Sequence, residues 1–296
     1  MTRPPLPAAA TFKGASGNTL IGDVYGEEGP PVLLLHGGGQ TRHAWKKTGE
    51  LIARLGLMAY AVDQRGHGDS QWVQDGAYQY EDFAADARTL AETFTERSGV
   101  RPVVIGASLG GMAALIANRG DPNRAEAFSA LVLVDITPRI DSEGVARIQG
   151  FMREKLREGF GSIAEAADAV AAYLPHRPKP RSHEGLKKNL RLHPDGRWRW
   201  HWDPRFLEGN RRIGSGSGEV ERALVDAARR VTIPTLLVRG ASSELVGEEH
   251  AKDFLTLVPH ARYVDVTGAR HMVAGDRNDQ FADAIKDFLN ELKISS

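Results

Sequence analysis

Five short apolar runs recur along this chain, at 32–35, 57–62, 103–105, 130–134 and 234–238, with Thr235 the one aliphatic hydroxyl among them. A strand with one wet face alternates apolar and polar residues, whereas a strand that is apolar throughout must be covered on both faces. Stretches of helical character follow these runs, at 42–55, 80–97, 111–118, 247–257 and 278–292. In the last of them Phe281, Ile285, Phe288 and Leu289 fall on one face at helical spacing. Two alternating segments, 9–13 and 18–25, flank Gly14-Ala-Ser-Gly17 and predict an antiparallel hairpin, and 262–266 predicts a final, more alternating strand. The implied class is α/β, with a mostly parallel central sheet flanked by helices.

One region interrupts this rhythm. Residues 138–221 hold no buried-type strand. They contain amphipathic stretches at 144–159 and 162–173, a Pro- and Arg-rich joint at 174–181, the segment Arg197-Trp-Arg-Trp-His-Trp-Asp203, and the run Gly214-Ser-Gly-Ser-Gly218. The expected division is therefore a core of residues 1–138 and 223–296 with a helical lid inserted at 139–222. Trp198, Trp200 and Trp202 are read as anchoring that lid rather than walling a pocket, with Arg197, Arg199 and Arg205 on its wet face.

Lysine plus arginine equals aspartate plus glutamate at 38 each, so net charge provides no attraction to nucleic acid or an anionic membrane. No run approaches the ~18 apolar residues of a membrane span. Residues 1–10 lack the apolar core of a secretory signal and read as a lead-in. Cysteine is absent, which removes disulfides and thiolate chemistry and suits a cytoplasmic setting. A homodimer is compatible with the chain, but no pattern in it specifies one.

The chemistry centres on Gly106-Ala-Ser-Leu-Gly110, placed between the run 103–105 and a helix. In that context a serine sits on a tight strand-to-helix turn, with small residues two before and two after it to let the chain pass its neighbours. The hydroxyl of Ser108 is then exposed at the carboxyl end of the sheet, above helix amides that can meet a developing oxyanion. Leu35-His36-Gly37-Gly38-Gly39 ends the first buried run and enters a loop at the same edge. Glycines there let main-chain amides face a carbonyl oxygen. The predicted oxyanion donors are the N–H groups of Gly38 and Leu109. The spacing matches neither a P-loop nor a dinucleotide fingerprint.

With these motifs the chain resembles the α/β-hydrolase superfamily, in its serine-nucleophile branch of esterases, enol-lactonases and cofactor-free haloperoxidases. Asp63-Gln-Arg-Gly-His-Gly68, then Pro234-Thr-Leu-Leu-Val-Arg-Gly240 with Ser243-Glu244, then Gly268-Ala-Arg-His271 resemble further loops of that family. The family order of serine, acid and histidine assigns Ser108 as nucleophile and His271 as base. It places the acid at Glu244, after the penultimate strand, with Asp135 as the alternative; Glu248 and Glu249 are lesser candidates. Read without the family, Asp135 is a carboxylate capping the turn before Pro138. Of the other histidines, His36 orients the adjacent loop, His67 is structural, and His201 packs among the tryptophans. No H-E-x-x-H spacing supports a metal, and no cofactor is expected. The resemblance implies cleavage of a small-molecule ester or lactone through an acyl-serine. C–C bond hydrolysis, perhydrolysis, or small-ligand reception with the triad retained are the alternatives.

Overall fold

A computed structural model describes residues 7–119, 125–175, 183, 185–215, 217–276 and 278–292. Most of the lead-in, most of the 174–181 joint and Gly216 of the glycine-serine run lie outside the described residues.

Strands β1 (Ala8–Lys13) and β2 (Thr19–Tyr25) form the predicted hairpin. β3 (Pro31–Leu35), α1 (Lys46–Arg54), β4 (Met58–Val62), α2 (Tyr80–Ser98), β5 (Val103–Ala107), α3 (Leu109–Asn118) and β6 (Ala130–Val134) alternate next. An inserted segment follows, with α4 (Ser142–Arg153), α5 (Ile163–Tyr173), β7 (Leu190–Leu192), β8 (Trp198–Trp200) and α6 (Arg205–Glu208). The core resumes with α7 (Ser217–Arg229), β9 (Thr235–Gly240), α8 (Glu248–Leu257), β10 (Arg262–Val266), α9 (Val273–Asp276) and α10 (Asn278–Glu291). The eight-stranded sheet has the order β1-β2-β4-β3-β5-β6-β9-β10, parallel from β4 to β10.

Both faces of β3, β4, β5, β6 and β9 are covered, which is why their sequences do not alternate as that of the edge strand β10 does. Leu33, Leu35, Val104, Leu131 and Leu237 pack on one side with residues of α2, α3, α7 and α8. Leu34, Ile105, Val132, Leu236 and Val238 pack on the other with Ile52 of α1 and the predicted face of α10, Phe281, Ile285, Phe288 and Leu289. The expected division at 222/223 falls inside α7, whose Leu224, Ala227 and Ala228 belong to the first of these layers.

Strand ends are in register where the chemistry lies. Leu35 pairs with Gly106, Ala107 with Val134, and Val134 with Val238. From β3 the chain moves to β4 on one side and then to β5 on the other. Winding thus reverses between β3 and β5, the point at which open α/β sheets hold ligands beyond their strand ends.

The inserted segment is not wholly helical, contrary to the expectation. Leu190 pairs with Trp200 and Leu192 with Trp198 in a two-stranded antiparallel ribbon. Three residues per strand are too few for a legible period of two. Met152, Phe160, Trp200, Trp202 and Phe206 of this segment pack with Tyr78, Phe83 and Leu109 of the core in a third apolar cluster.

Candidate active site

Ser108 joins β5 to α3 with φ 47° and ψ −114°, a left-handed conformation that costs a non-glycine residue about 1–3 kcal/mol. The surrounding packing enforces it. A Cβ on Gly106 would stand 2.5 Å from the Gly110 carbonyl oxygen, and one on Gly110 would stand 2.3 Å from that of Leu35. The elbow therefore closes only with glycine at both positions. The Ser108 amide donates to the Val134 carbonyl at 3.2 Å, which ties the turn to β6. Leu109 opens α3, where helical amides have no acceptor within the helix. Gly38 lies in the loop after β3, and both residues line the same cavity as Ser108.

His271 follows β10 and precedes α9. Its Nδ1 lies 2.8 Å from Asp135 Oδ2, with the carboxylate fully buried. Next to a carboxylate Nδ1 carries the proton and donates, which leaves Nε2 as the basic nitrogen. His271 lines the cavity together with Ser108.

The contact corrects the expectation for Glu244. Asp135, directly after β6, adopts φ 50°, and its carboxylate collects three donors. The Gly240 amide reaches Oδ1 at 2.9 Å, while Ser243 Oγ at 2.5 Å and His271 Nδ1 at 2.8 Å reach Oδ2. Ser243 Oγ in turn accepts from the amides of Leu245 and Val246, both at 3.1 Å. This small turn carries Glu244 away from the imidazole, toward α4, where its carbonyl oxygen closes against Gly144. Its Oε2 is buried without a hydrogen-bond partner among the described residues. Ser243 was next to the residue singled out in the sequence, yet its role as donor to the acid carries no spacing signal.

The His-Gly loop is tightly tethered. His36 Nε2 accepts from the Gln64 amide at 3.0 Å, so its Nδ1 donates to the Gly37 carbonyl at 2.8 Å. Gln64 Nε2 donates to the His36 carbonyl at 2.6 Å, and the Gly37 amide donates to Gln40 Oε1 at 3.1 Å. Burial pulls the His36 imidazole down to about 4, so it is neutral. The loop-orienting role read for His36 agrees with these contacts. His67 is fully buried, and burial, with His36 beside it, takes its pKa down to about 3.

The cavity at this edge has a volume of about 560 Å³. The inserted segment supplies much of its wall, including Phe151, Met152, Trp200 and Trp202. Trp200 and Trp202 stack at 4.9 Å with an interplanar angle of 9° and are buried. They both anchor the segment and line the cavity, where anchoring alone was expected. Arg197 and Arg199 do face outward, to Glu158 and Asp195. Among the described residues no group of three or more His, Asp or Glu side chains could hold a metal ion, and no helix is long and apolar enough to cross a membrane.

A family model described as serine aminopeptidase, S33, matches residues 29–278. The chain belongs to this family of α/β-hydrolases. It is 30% identical to the esterase Rv0045c of Mycobacterium tuberculosis, over 97% of this chain and 90% of that protein. A solved structure of that esterase superposes with a TM-score of 0.72, covering 98% of this chain and 94% of the other. The chain is also 30% identical to 2-(acetamidomethylene)succinate hydrolase of Mesorhizobium japonicum, over 83% of this chain and 82% of that protein. A solved structure of an E-2-(acetamidomethylene)succinate hydrolase aligns at a TM-score of 0.80 and 25% identity, covering 96% of this chain and 99% of the other. As an α/β-hydrolase the chain is an enzyme, and its family sets the class of reaction as hydrolysis.

Proposed function

We propose that the protein cleaves a carboxylic ester or lactone of a small molecule through an acyl-serine, with Ser108 as nucleophile, His271 as base and Asp135 as acid. The observation that carries this reading is a strained serine and an Asp135-paired histidine lining one apolar cavity. Ser108 Oγ attacks the carbonyl carbon while His271 Nε2 takes its proton. The amides of Gly38 and Leu109 stabilise the oxyanion. Collapse expels the alcohol, which leaves with the proton from His271. Water then repeats the sequence on the acyl-serine and frees the acid. The inserted segment serves as the lid that closes this cavity and selects the substrate.

The lining also favours an ester over a peptide, despite the peptidase description of the family. Among the described residues no carboxylate lines the cavity to meet the α-ammonium of an aminopeptidase substrate, and one lysine, Lys188, and no arginine line it. A neutral, largely apolar ester suits such walls better than a dicarboxylate. The test is labelling with a fluorophosphonate followed by turnover of aryl esters of graded acyl length. Ser108→Ala should abolish the label and lower turnover by several powers of ten, with the fold retained. Near-native turnover in that variant would refute the covalent serine mechanism. Stoichiometric acylation without sustained turnover would favour a ligand receptor.

A further inference from the structure

A third buried histidine, His201, is not used by the mechanism above. It lies between β8 and α6, in the inserted segment, and is 1% exposed. Its main chain is held there: its amide donates to the Asn189 carbonyl at 3.1 Å, and its carbonyl accepts from Trp72 Nε1 at 3.3 Å. The imidazole crosses to the core. The Gly68 amide donates to His201 Nδ1 at 2.6 Å. A nitrogen that accepts from an amide carries no proton, so the proton is on Nε2. That nitrogen lies 3.3 Å from the Gly39 carbonyl and donates to it.

The arrangement repeats that of His36. In each case a main-chain amide, from Gln64 or from Gly68, fixes the tautomer of a buried imidazole. The opposite nitrogen then holds a carbonyl of the glycine loop, Gly37 for His36 and Gly39 for His201. The two anchored carbonyls flank Gly38.

We propose that His201 is a positioning residue of the oxyanion loop: from the inserted segment it holds the Gly39 carbonyl, and with His36 it clamps both sides of Gly38 so that the Gly38 amide faces the reacting carbonyl. This rests on the reading of Gly38 as an oxyanion donor. It makes the competence of the hole conditional on the seating of the segment that also walls the cavity through Trp200 and Trp202. Burial, with the neighbouring imidazoles of His67 and His36, holds His201 well below its ordinary pKa, in keeping with a neutral donor.

Three substitutions separate positioning from packing. In His201→Asn the amide oxygen can accept from Gly68, but no donor reaches Gly39. In His201→Gln the amide nitrogen extends to the place of Nε2 and can donate to Gly39. His201→Phe keeps ring bulk and loses both bonds. Active sites are counted by the end point of fluorophosphonate labelling, so loss of folded protein does not enter the rate. Per titrated site, the Asn and Phe variants should lose about tenfold or more in kcat with KM within about twofold, as misplacement of a transition-state contact requires. The Gln variant should recover most of that loss. Affinity for a trifluoromethyl ketone, which forms a tetrahedral adduct, should fall in parallel with kcat/KM. A purely structural role would lower melting temperature and the number of titrated sites but leave kcat per site unchanged, and that result overturns the proposal. So does a Gln variant no better than Phe. Should the variants fail to fold, ¹⁵N chemical shifts of the unmodified protein still decide: His201 found protonated on Nδ1 at neutral pH refutes the clamp. Absence of label on Ser108 in the unmodified protein would remove the underlying reading, and the clamp with it.

Discussion

Asp135 and Glu244 differ in what surrounds their charge. Three donors converge on the Asp135 carboxylate, one of them His271 Nδ1, and a buried carboxylate held in this way fixes the imidazole in its place. With Asn at this position the amide can present its own N–H to Nδ1 and favour the wrong tautomer, so Asp135→Asn should lose on the order of 10⁴ in kcat. Glu244→Gln should leave kcat within about twofold, because Glu244 touches none of the reacting groups. Steady-state kinetics on one aryl ester compare the two directly, and a larger loss in the Gln variant would restore Glu244 as the acid. The residues proposed here as nucleophile, base and oxyanion donors could be picked from the sequence because each is attached to a local pattern: a glycine-framed serine, a histidine after the last strand, a glycine run after the first buried one. The choice of acid was not local. It turns on a left-handed φ at Asp135 and on a hydroxyl at Ser243, 108 residues away, and strand spacing encodes neither.

At the level of elements, β3, β4, β5, β6 and β9 were legible because burial on both faces writes itself as a continuous apolar run, and β1, β2 and β10 because they alternate. The inserted segment obeys a weaker rule. Its ribbon has three residues per strand, and its side chains are chosen to fit a cavity rather than a periodic face. Met152, in the last turn of α4, shows the consequence. It is 5% exposed, lines the cavity, and would have its Cε 2.9 Å from a Cβ placed on Gly39. It therefore rests on the glycine loop and sets the width of the cavity there. Met152→Ala should destabilise the protein by about 2–5 kcal/mol, read from urea denaturation. It should also shift preference in an ester series toward bulkier acyl or alcohol groups. An unchanged preference with the expected loss of stability would mean that the substrate does not reach this wall.

For the whole molecule, the cluster of His36, His67 and His201 ties stability to pH. Their rings lie 5.3 Å and 5.8 Å apart, with His67 in the middle and its Nε2 without a hydrogen-bond partner among the described residues. Burial is the main cause holding all three neutral, His36 down to about 4 and His67 down to about 3. In the unfolded chain a histidine takes up its proton near pH 6.5. Between that value and the folded one the unfolded state therefore binds more protons, so stability is full above about pH 6.5 and falls as the pH is lowered. Each histidine contributes a slope of about 1.4 kcal/mol per pH unit within its window. The three slopes act in the same direction, so acid sensitivity from these imidazoles begins well above the carboxylate range. Carboxylates act lower. For Asp23 burial alone would raise the pKa, but hydrogen bonds from His43 and Arg42 outweigh it and hold it below 3.8; at Asp69 the bond from Arg42 similarly outweighs burial. Their stabilisation is lost only as the pH falls below that value, so a decline that begins above pH 5 belongs to the histidines. Urea midpoints measured from pH 7.5 to 4.5 should fall steadily. His67→Phe, set among Phe83 and Phe206 at 6.3 Å and 4.8 Å, should flatten the slope by about one proton's worth, even if its stability at pH 7.5 drops through the lost bond to the Arg65 carbonyl. Equal midpoints at pH 7.5 and 4.5 would show that the imidazoles take up protons in the folded state as readily as in the unfolded chain, and would remove this source of acid sensitivity.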